Sequence, residues 1–434
     1  MGISTVTAAR IFKGQFLQNQ SGEETVLSWE KFPYVSLSKT YGLDTQTSDS
    51  ANSATAYLCG VKANIGTVGV DSTVKGGQCH NDSRSYVDSI MKWAQDAGMW
   101  TGIVTTSTVT DASPAAAYAH SGFREWQHSV PNGCNASDIA SQLIYNSPGK
   151  DMRVIMGGGR KEFFNNTMCD EYGNRGARTD GKDLIEIWKQ MRNHSNSTYA
   201  YVTNKDALKA VNTNSTDYLL GLFDIDFMPF WLSRQLYNKT TPGLGDMVSK
   251  AIEILSRGPK GFVLLAEGGR IDHAHHVNLA QLALQETVEF EGVVEAVAAK
   301  LPKNKTLIVV TADHSHTLNI AGHPPRGTNI LGFGGKTETA DPVQYTILSY
   351  GVGPGGYRPL MNVTLQNTTD IFFRQQAAFP TTMAPHGGED VAVYATGPWA
   401  HLFSGVHDQT YIPYAMAYAA CIGQFNNSEC HNGE

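Results

Sequence analysis

Short apolar or β-branched runs alternate along the chain with longer segments of helical spacing. Five runs, Thr101 to Thr106, Arg153 to Met156, Gly261 to Ala266, Thr306 to Thr311 and Asp390 to Ala395, end abruptly in Gly, Asp, His or Thr. That is the pattern of buried strands that feed loops. Tyr86 to Ala97, Asp183 to Arg192, Leu244 to Ser256 and Asn278 to Lys300 carry helical patterns, the last rich in Ala, Leu, Glu and Val. The alternation predicts an α/β fold with a mainly parallel central sheet flanked by helices on both faces. Between Pro324 and Pro385 the rhythm gives way to Gly-, Pro- and Thr-rich segments, so residues 324–385 are expected to be an inserted loop-and-strand subdomain of one domain spanning 1–434.

Composition narrows the class. With 434 residues, 41% hydrophobic and 17% charged, the chain is neither disordered, collagen-like nor a coiled coil. A net charge of −7 leaves no general basic footprint for nucleic acid, so an anionic ligand must be attracted locally. The longest uncharged apolar stretches fall far short of the ~20 residues that span a bilayer, and no charged-then-apolar leader opens the chain. Six Cys are too few to build the fold, although Cys421 and Cys430 lie close enough in sequence to staple a small loop. Asn-x-Ser/Thr acceptors are more telling: Asn19, Asn81, Asn135, Asn165, Asn193, Asn196, Asn214, Asn238, Asn304, Asn362, Asn367 and Asn426 qualify, twelve of the 25 Asn, against roughly 4 expected by chance. This favours a secreted or cell-surface glycoprotein.

The 14 His concentrate in Glu267-Gly-Gly-Arg-Ile-Asp272-His273-Ala-His275-His276, directly after the predicted strand 261–266. Ligands of open α/β sheets bind outside the carboxyl ends of the strands. Asp272 and His276, four apart, share one face of a helix, a spacing that suits a zinc pair. A second strand runs into Ala312-Asp313-His314-Ser315-His316, where a buried Asp and His need a positive partner such as a divalent cation. His386-Gly-Gly-Glu389-Asp390 is a third contributor, at the start of a strand. Mixed Asp, His and Glu donors without thiolates point to catalytic zinc, whereas Glu267 and Ser113, oxygen donors only, suit Mg²⁺. A two-metal centre is implied, and metals so paired clamp the attacking and leaving oxygens of an in-line displacement, which indicates phosphoryl transfer. A nucleophile should then open a helix, and Thr47-Ser48-Asp49-Ser50-Ala51-Asn52 has the small residues for it. Arg124, in the loop after the 101–106 strand, is a bidentate phosphate clamp candidate. Gly157-Gly-Gly-Arg160 lacks the Lys-Ser/Thr ending of a P-loop and is read as a tight turn.

These residues resemble an alkaline phosphatase of the animal, secreted or membrane-anchored type. The likeness rests on Asp49-Ser50-Ala51, Tyr57-Leu-Cys59-Gly-Val-Lys62, Ala112-Ser113-Pro114, Ile155-Met-Gly-Gly-Gly-Arg160, Glu267-Gly-Gly-Arg-Ile-Asp272-His273, Thr311-Ala-Asp313-His314-Ser-His316 and His386-Gly-Gly-Glu-Asp390. The resemblance implies Ser50 as a phosphorylated nucleophile and Arg124 as the phosphate clamp. It implies one Zn²⁺ on Asp272, His276 and His386, a second on Asp313 and His314, and Mg²⁺ on Ser113 and Glu267, supported by Asp111, His273 and His316. It also implies Cys79–Cys134 and Cys421–Cys430 disulfides, a homodimer, small phosphomonoester substrates, an alkaline pH optimum, and a crown subdomain at 324–385. A lipid (GPI) anchor of the family type is not visible in this chain.

Three departures accompany the likeness. The family places Gly-Asp-Gly just before the Met-Gly that stands first here, and its Asp bridges the second zinc and the magnesium; the expectation is a chain lacking its first strand, with impaired activity. Asp111 stands where vertebrate members tend to carry His. The animal family's Ca²⁺ site maps onto Glu171, Phe223 and Asp224, but its last carboxylate falls at Thr241, which counts against calcium. Competing readings are a phosphodiesterase or sulfatase with similar metals, and a metal- or phosphate-binding fragment without catalysis.

Overall fold

The run Trp100–Thr108 is buried along nearly its whole length because it is paired on both edges and covered on both faces. In the computed structural model, which describes residues 1–237, 240–334, 344–356 and 362–426, it lies in one of two compact units, made of Tyr41–Pro229, Ser233–Gly268 and His407–Glu434. The sheet of this unit has five strands in the order Tyr199–Val202, Tyr218–Leu222, Val154–Gly158, Trp100–Thr108, Phe262–Glu267. All four pairings are parallel. Side chains alternate between faces. Ile103, Ile155 and Leu220 enter a core with Ile90, Met91, Ile139, Leu143, Leu184 and Trp188 from the helices Ile90–Asp96, Ile139–Tyr145 and Leu184–His194. Gly102 and Val154 face Leu255 at the end of the helix Leu244–Leu255. The parallel sheet flanked by helices is therefore as expected, and its carboxyl ends bring Thr105, Ser107 and Glu267 to one side.

Two of its strands, Tyr199–Val202 and Tyr218–Leu222, were not anticipated. The helix expected from Tyr86 begins at Ile90, because Ser89 caps it by accepting from Lys92 N–H, and Ser83–Ser85 forms a separate 3₁₀ turn. Gly157 and Gly158 finish a strand, and Gly159, at φ +89°, makes the tight turn expected there.

The other unit comprises Met1–Thr40, Phe230–Leu232 and Gly269–Val406. Here Val391–Thr396 lies between Tyr34–Lys39 and Ile308–Val310, antiparallel to both. This corrects the expectation that the strands after 306 and 390 run parallel in the same sheet as 261–266. The reason is a short antiparallel ladder, His386 opposite His316 and Gly387 opposite Ser315, which returns the chain in the reverse direction. The helix Ala280–Lys300 opens two residues later than expected, since Asn278 at φ +58° closes the turn after Arg270–His276. The helix Ile3–Leu17 packs along it. Within 324–385, residues 335–343 and 357–361 lie outside the described residues. The described part carries the strands Leu348–Gly353 and Ala377–Pro380, and Ile330, Leu331, Leu348 and Tyr350 share a core with Ala8, Phe12 and Leu284.

Candidate functional site

In the second of these units, the helix Arg270–His276 sets Asp272 and His276 one turn apart, with Asp272 Oδ2 3.1 Å from His276 Nε2. The His316–His386 ladder brings two further rings to the same carboxylate. His316 Nε2 contacts Asp272 Oδ1, and His386 Nε2 lies 3.7 Å from that oxygen and 3.3 Å from His276 Nε2. His314 stacks on His386 with ring centroids 3.5 Å apart, and its Nε2 lies 3.0 Å from Asp313 Oδ2. Donor atoms of Asp272, His314, His316 and His386 all fall within 4.8 Å of one another, the one such grouping of His, Cys, Asp or Glu among the described residues.

The proton positions show that these residues fit a cation. His276 Nδ1 is 2.7 Å from the Ala384 carbonyl and His314 Nδ1 is 3.2 Å from the Ser315 carbonyl. A carbonyl only accepts, so in the neutral ring Nδ1 carries the proton and Nε2 presents a lone pair. Both lone pairs then face carboxylate oxygens, an acceptor-to-acceptor arrangement that a divalent cation relieves. Burial pushes His316 down to about 4 even though Asp272 opposes the shift, so the ring is neutral near pH 7. Burial alone would raise Asp272, but the His316 ring, bonded to its Oδ1, holds it well below the usual carboxylate range.

His316, expected to support the ligands, bonds Asp272 Oδ1 through Nε2 and lies beside the donor atoms of His314 and His386. His273 takes another course: its Nδ1 is 2.9 Å from Arg270 Nη1, and that guanidinium stands 3.8 Å over the Phe230 ring. His275, fully buried, binds Thr5 Oγ1 and the Tyr350 hydroxyl and braces the helix.

The five-stranded unit carries the other candidates. Ser50 is the first residue of the helix Ser50–Cys59 and is 8% exposed. Asp49 caps that helix, its Oδ1 accepting from Asn52 N–H at 3.2 Å and Gly66 N–H at 3.1 Å. Its other oxygen, Oδ2, lies 3.4 Å from Arg124 Nη1, while Arg124 Nη2 donates to Asp111 Oδ1 at 2.9 Å. Burial alone would lower the Arg124 pKa, but these two carboxylates raise it above its ordinary value, so the charge is permanent. Asp111 also caps the short helix Ala112–Ala115, which contains Ser113, buried at 5% exposure. Glu267 ends its strand and accepts from the Thr105 hydroxyl at 2.5 Å. Sequence reasoning assigned no role to Asp49, which entered only within its motif, nor to Thr105 or Ser107, for which the available signal was a run of hydroxyl side chains closing a buried strand.

Glu171 is exposed, Phe223 is buried, and Asp224 caps its own turn by accepting from Ile225 N–H at 2.8 Å. No group of three His, Cys, Asp or Glu donors forms around these calcium candidates among the described residues. Cys79 and Cys134 form a disulfide with Cα atoms 5.6 Å apart. Cys430, the expected partner of Cys421, and the acceptor Asn238 lie outside the described residues.

Comparison with known proteins agrees with this chemistry. The alkaline phosphatase family profile matches residues 1–422. The chain is 47% identical over 440 aligned positions to the tissue-nonspecific isozyme of alkaline phosphatase from Rattus norvegicus, covering 98% of this chain and 82% of that protein. It is 47% identical to the alkaline phosphatase of Gadus morhua, covering 98% and 90%. Identity to the membrane-bound alkaline phosphatase of Bombyx mori is 42%, covering 98% and 78%. The fold matches the alkaline phosphatases of the Antarctic bacterium TAB5, with TM-score 0.65, 20% identity and coverage of 98% and 96%, and of Thermus thermophilus, with TM-score 0.66, 23% identity and coverage of 96% and 89%. The chain belongs to the alkaline phosphatase family, metal-dependent enzymes that hydrolyse phosphate monoesters.

Proposed function

We propose that the protein hydrolyses phosphate monoesters at alkaline pH through a phosphoserine on Ser50, using two Zn²⁺ and one Mg²⁺. Asp272, His276 and His386 would hold one zinc, Asp313 and His314 the other, and Ser113 and Glu267 the magnesium. The observation that carries the reading is the pair of rings, His276 and His314, each tied at Nδ1 to a backbone carbonyl and turned at Nε2 toward a carboxylate.

When bound, the divalent cations supply positive charge that lowers the proton affinity of the attacking hydroxyl and neutralises the leaving oxygen. Ser50 attacks phosphorus from the first turn of its helix, where backbone N–H groups favour developing negative charge. Arg124 neutralises equatorial phosphoryl oxygens, and Asp49 and Asp111 hold its guanidinium in plane and orientation. His316 anchors Asp272 and keeps its carboxylate aimed at the rings.

A homodimer at the cell surface or outside the cell, glycosylated and closed by Cys79–Cys134, completes the proposal. The disulfide, the exposure of acceptors such as Asn19, Asn193 and Asn304, and the membrane-bound relative support the location and glycosylation, and the homodimer follows from the family resemblance alone. No described helix is long and apolar enough to cross a membrane.

The test is hydrolysis of p-nitrophenyl phosphate, bis-p-nitrophenyl phosphate and p-nitrophenyl sulfate at pH 7 to 10 with zinc and magnesium. It uses this chain, a form extended upstream by the family's Gly-Asp-Gly segment, and Ser50→Ala in each. Monoester turnover lost in Ser50→Ala and with EDTA supports the reading. Preference for the diester or sulfate, activity that survives Ser50→Ala, or silence in both forms would overturn it.

A further inference from the structure

The strand Trp100–Thr108 ends in four consecutive hydroxyl residues, Thr105 to Thr108, each no more than 2% exposed. Buried hydroxyls must find partners. Thr105 Oγ1 donates to Glu267 Oε2 at 2.5 Å, because a carboxylate only accepts. As acceptor, the same Oγ1 takes Ser107 N–H at 2.9 Å. Ser107 Oγ in turn donates to Asp111 Oδ2 at 2.5 Å. The other oxygen of Asp111 receives Arg124 Nη2 at 2.9 Å and Ala112 N–H at 2.8 Å. A continuous hydrogen-bond path therefore runs Glu267, Thr105, Ser107, Asp111, Arg124, with each shared proton assigned.

The backbone supports this path at the same residues. Thr105 stands opposite Glu267 as the last pair of the ladder with Phe262–Glu267. On the other edge, the register with Val154–Gly158 shifts between Val104 and Thr108. Regular strand pairing thus lapses where the hydroxyls begin, and such irregularities re-aim side chains. Backbone bonds still hold the segment at the Thr106 carbonyl, which accepts from Met228 N–H at 3.1 Å, and the side-chain bonds link its two ends.

We propose that Thr105 and Ser107 are positioning residues that couple the magnesium-binding carboxylate Glu267 to the phosphate clamp Arg124. This rests on the roles given to Glu267 and Arg124 above. Thr105 orients Glu267 for the cation, Ser107 orients Asp111 for the guanidinium, and the Ser107 N–H to Thr105 bond joins the two. Cation and phosphate then strengthen each other's binding reciprocally.

The test measures, by titration calorimetry in the zinc-loaded protein, Mg²⁺ affinity and inorganic phosphate affinity, the latter with and without Mg²⁺. The inhibition constant of phosphate against p-nitrophenyl phosphate is taken in parallel. In the unaltered protein, Mg²⁺ should tighten phosphate by about 5-fold or more. Thr105→Val should weaken Mg²⁺ about 10-fold, as loss of a partner behind a metal ligand does. Ser107→Ala should weaken phosphate about 10-fold and leave Mg²⁺ within about 2-fold. Both should bring the coupling factor below about 2, and Thr105→Ser and Ser107→Thr, which keep the hydroxyl, should restore it. A purely structural role would lower the melting temperature and leave the factor intact. An unchanged factor in both hydroxyl-deletion variants, or none in the unaltered protein, overturns the inference. Failure of the proposed activity shows separately, as absent hydrolysis or hydrolysis that survives Ser50→Ala, and leaves the calorimetric comparison readable.

Discussion

Arg178 is 1% exposed and is the hub of a buried charge cluster in the five-stranded unit, so its replacement by Met tests how that unit is held together. Its Nη1 and Nη2 each donate to Asp138 at 2.9 Å, and Nε and Nη2 donate to Asp180 at 3.0 and 2.7 Å. Asp138 also caps the helix Ile139–Tyr145, accepting from Ser141 N–H at 2.8 Å. Gln142 of the same helix grips His120 through its backbone N–H and carbonyl, at 2.8 and 2.9 Å, four residues before Arg124. Arg178→Met strands the Asp138 carboxylate, 11% exposed, without its cation. Such an orphaned buried charge costs about 3–5 kcal/mol. The Asp180 carboxylate, 36% exposed, adds little, since solvent screens it. For a unit of this size the loss lowers the melting temperature by roughly 10 °C, read by circular dichroism or scanning calorimetry. Arg178→Lys should recover less than half of this, because an ammonium cannot match the two-pronged geometry. The triple variant Arg178→Met, Asp138→Asn, Asp180→Asn should recover most of it, since no charge is stranded and Asn still caps the helix. Arg178 also holds the Asp180 carboxyl down at about 2. A depressed carboxylate contributes stability above its unfolded pKa of about 3.9 and loses it as pH falls through the folded value. The small part of the gap that Asp180 carries should therefore be present above about pH 4 and be lost toward pH 2. A melting point within about 2 °C of the unaltered protein, or a triple variant no better than the single one, would refute the reasoning.

Three further outcomes are expected. Replacing Cys79 and Cys134 by Ser opens a loop of sequence separation 55, and chain entropy puts the loss at about 4 kcal/mol in denaturant titration; a change under about 1 kcal/mol would show that the unfolded chain is not constrained there. Asn165, 9% exposed, has its Oδ1 engaged by Thr167 N–H and Oγ1 at 2.9 and 2.8 Å, so glycopeptide mapping of secreted protein should find it bare while Asn19, Asn193 and Asn304 are modified; a glycan on Asn165 in folded protein would contradict its burial. Asp272→Asn should lower bound zinc by elemental analysis, because the carboxylate lies among the His276, His316 and His386 rings; zinc content equal to the unaltered protein would exclude Asp272 as a ligand.

Much of the fold was legible where burial and periodicity coincide. The strands 100–108, 154–158 and 262–267 and the helices 184–194, 244–255 and 280–300 lie within a few residues of their expected positions. What failed had local causes. The helix Ile3–Leu17 begins at Gly2 without a side-chain cap and carries Thr, Gly and Gln along its length, so no start signal marks it. Tyr199–Val202 and Tyr218–Leu222 are too short for alternation to stand out, and they are strands because they add in turn to the edge of a sheet already formed. The antiparallel course of Val391–Thr396 depends on His316 pairing with His386, 70 positions away, which no local pattern encodes.

The candidate site divides along the same line. A motif such as Asp272-x-x-x-His276 specifies residue types and a shared helix face, and those were readable. It does not specify which ring nitrogen carries the proton. That is decided by the Ala384 carbonyl, 108 positions from His276, and a Gly-rich turn or altered loop there would change the lone pair that faces Asp272 without touching a motif residue. Glu267 and Arg124 are likewise aimed by Thr105, Ser107, Asp49 and Asp111, which a search for metal ligands passes over because most are hydroxyls or caps. Ligand identity is thus written locally and ligand orientation at a distance. Variants that alter turnover while keeping every motif should accordingly fall at positions such as Thr105, Ser107 and the backbone around Ala384.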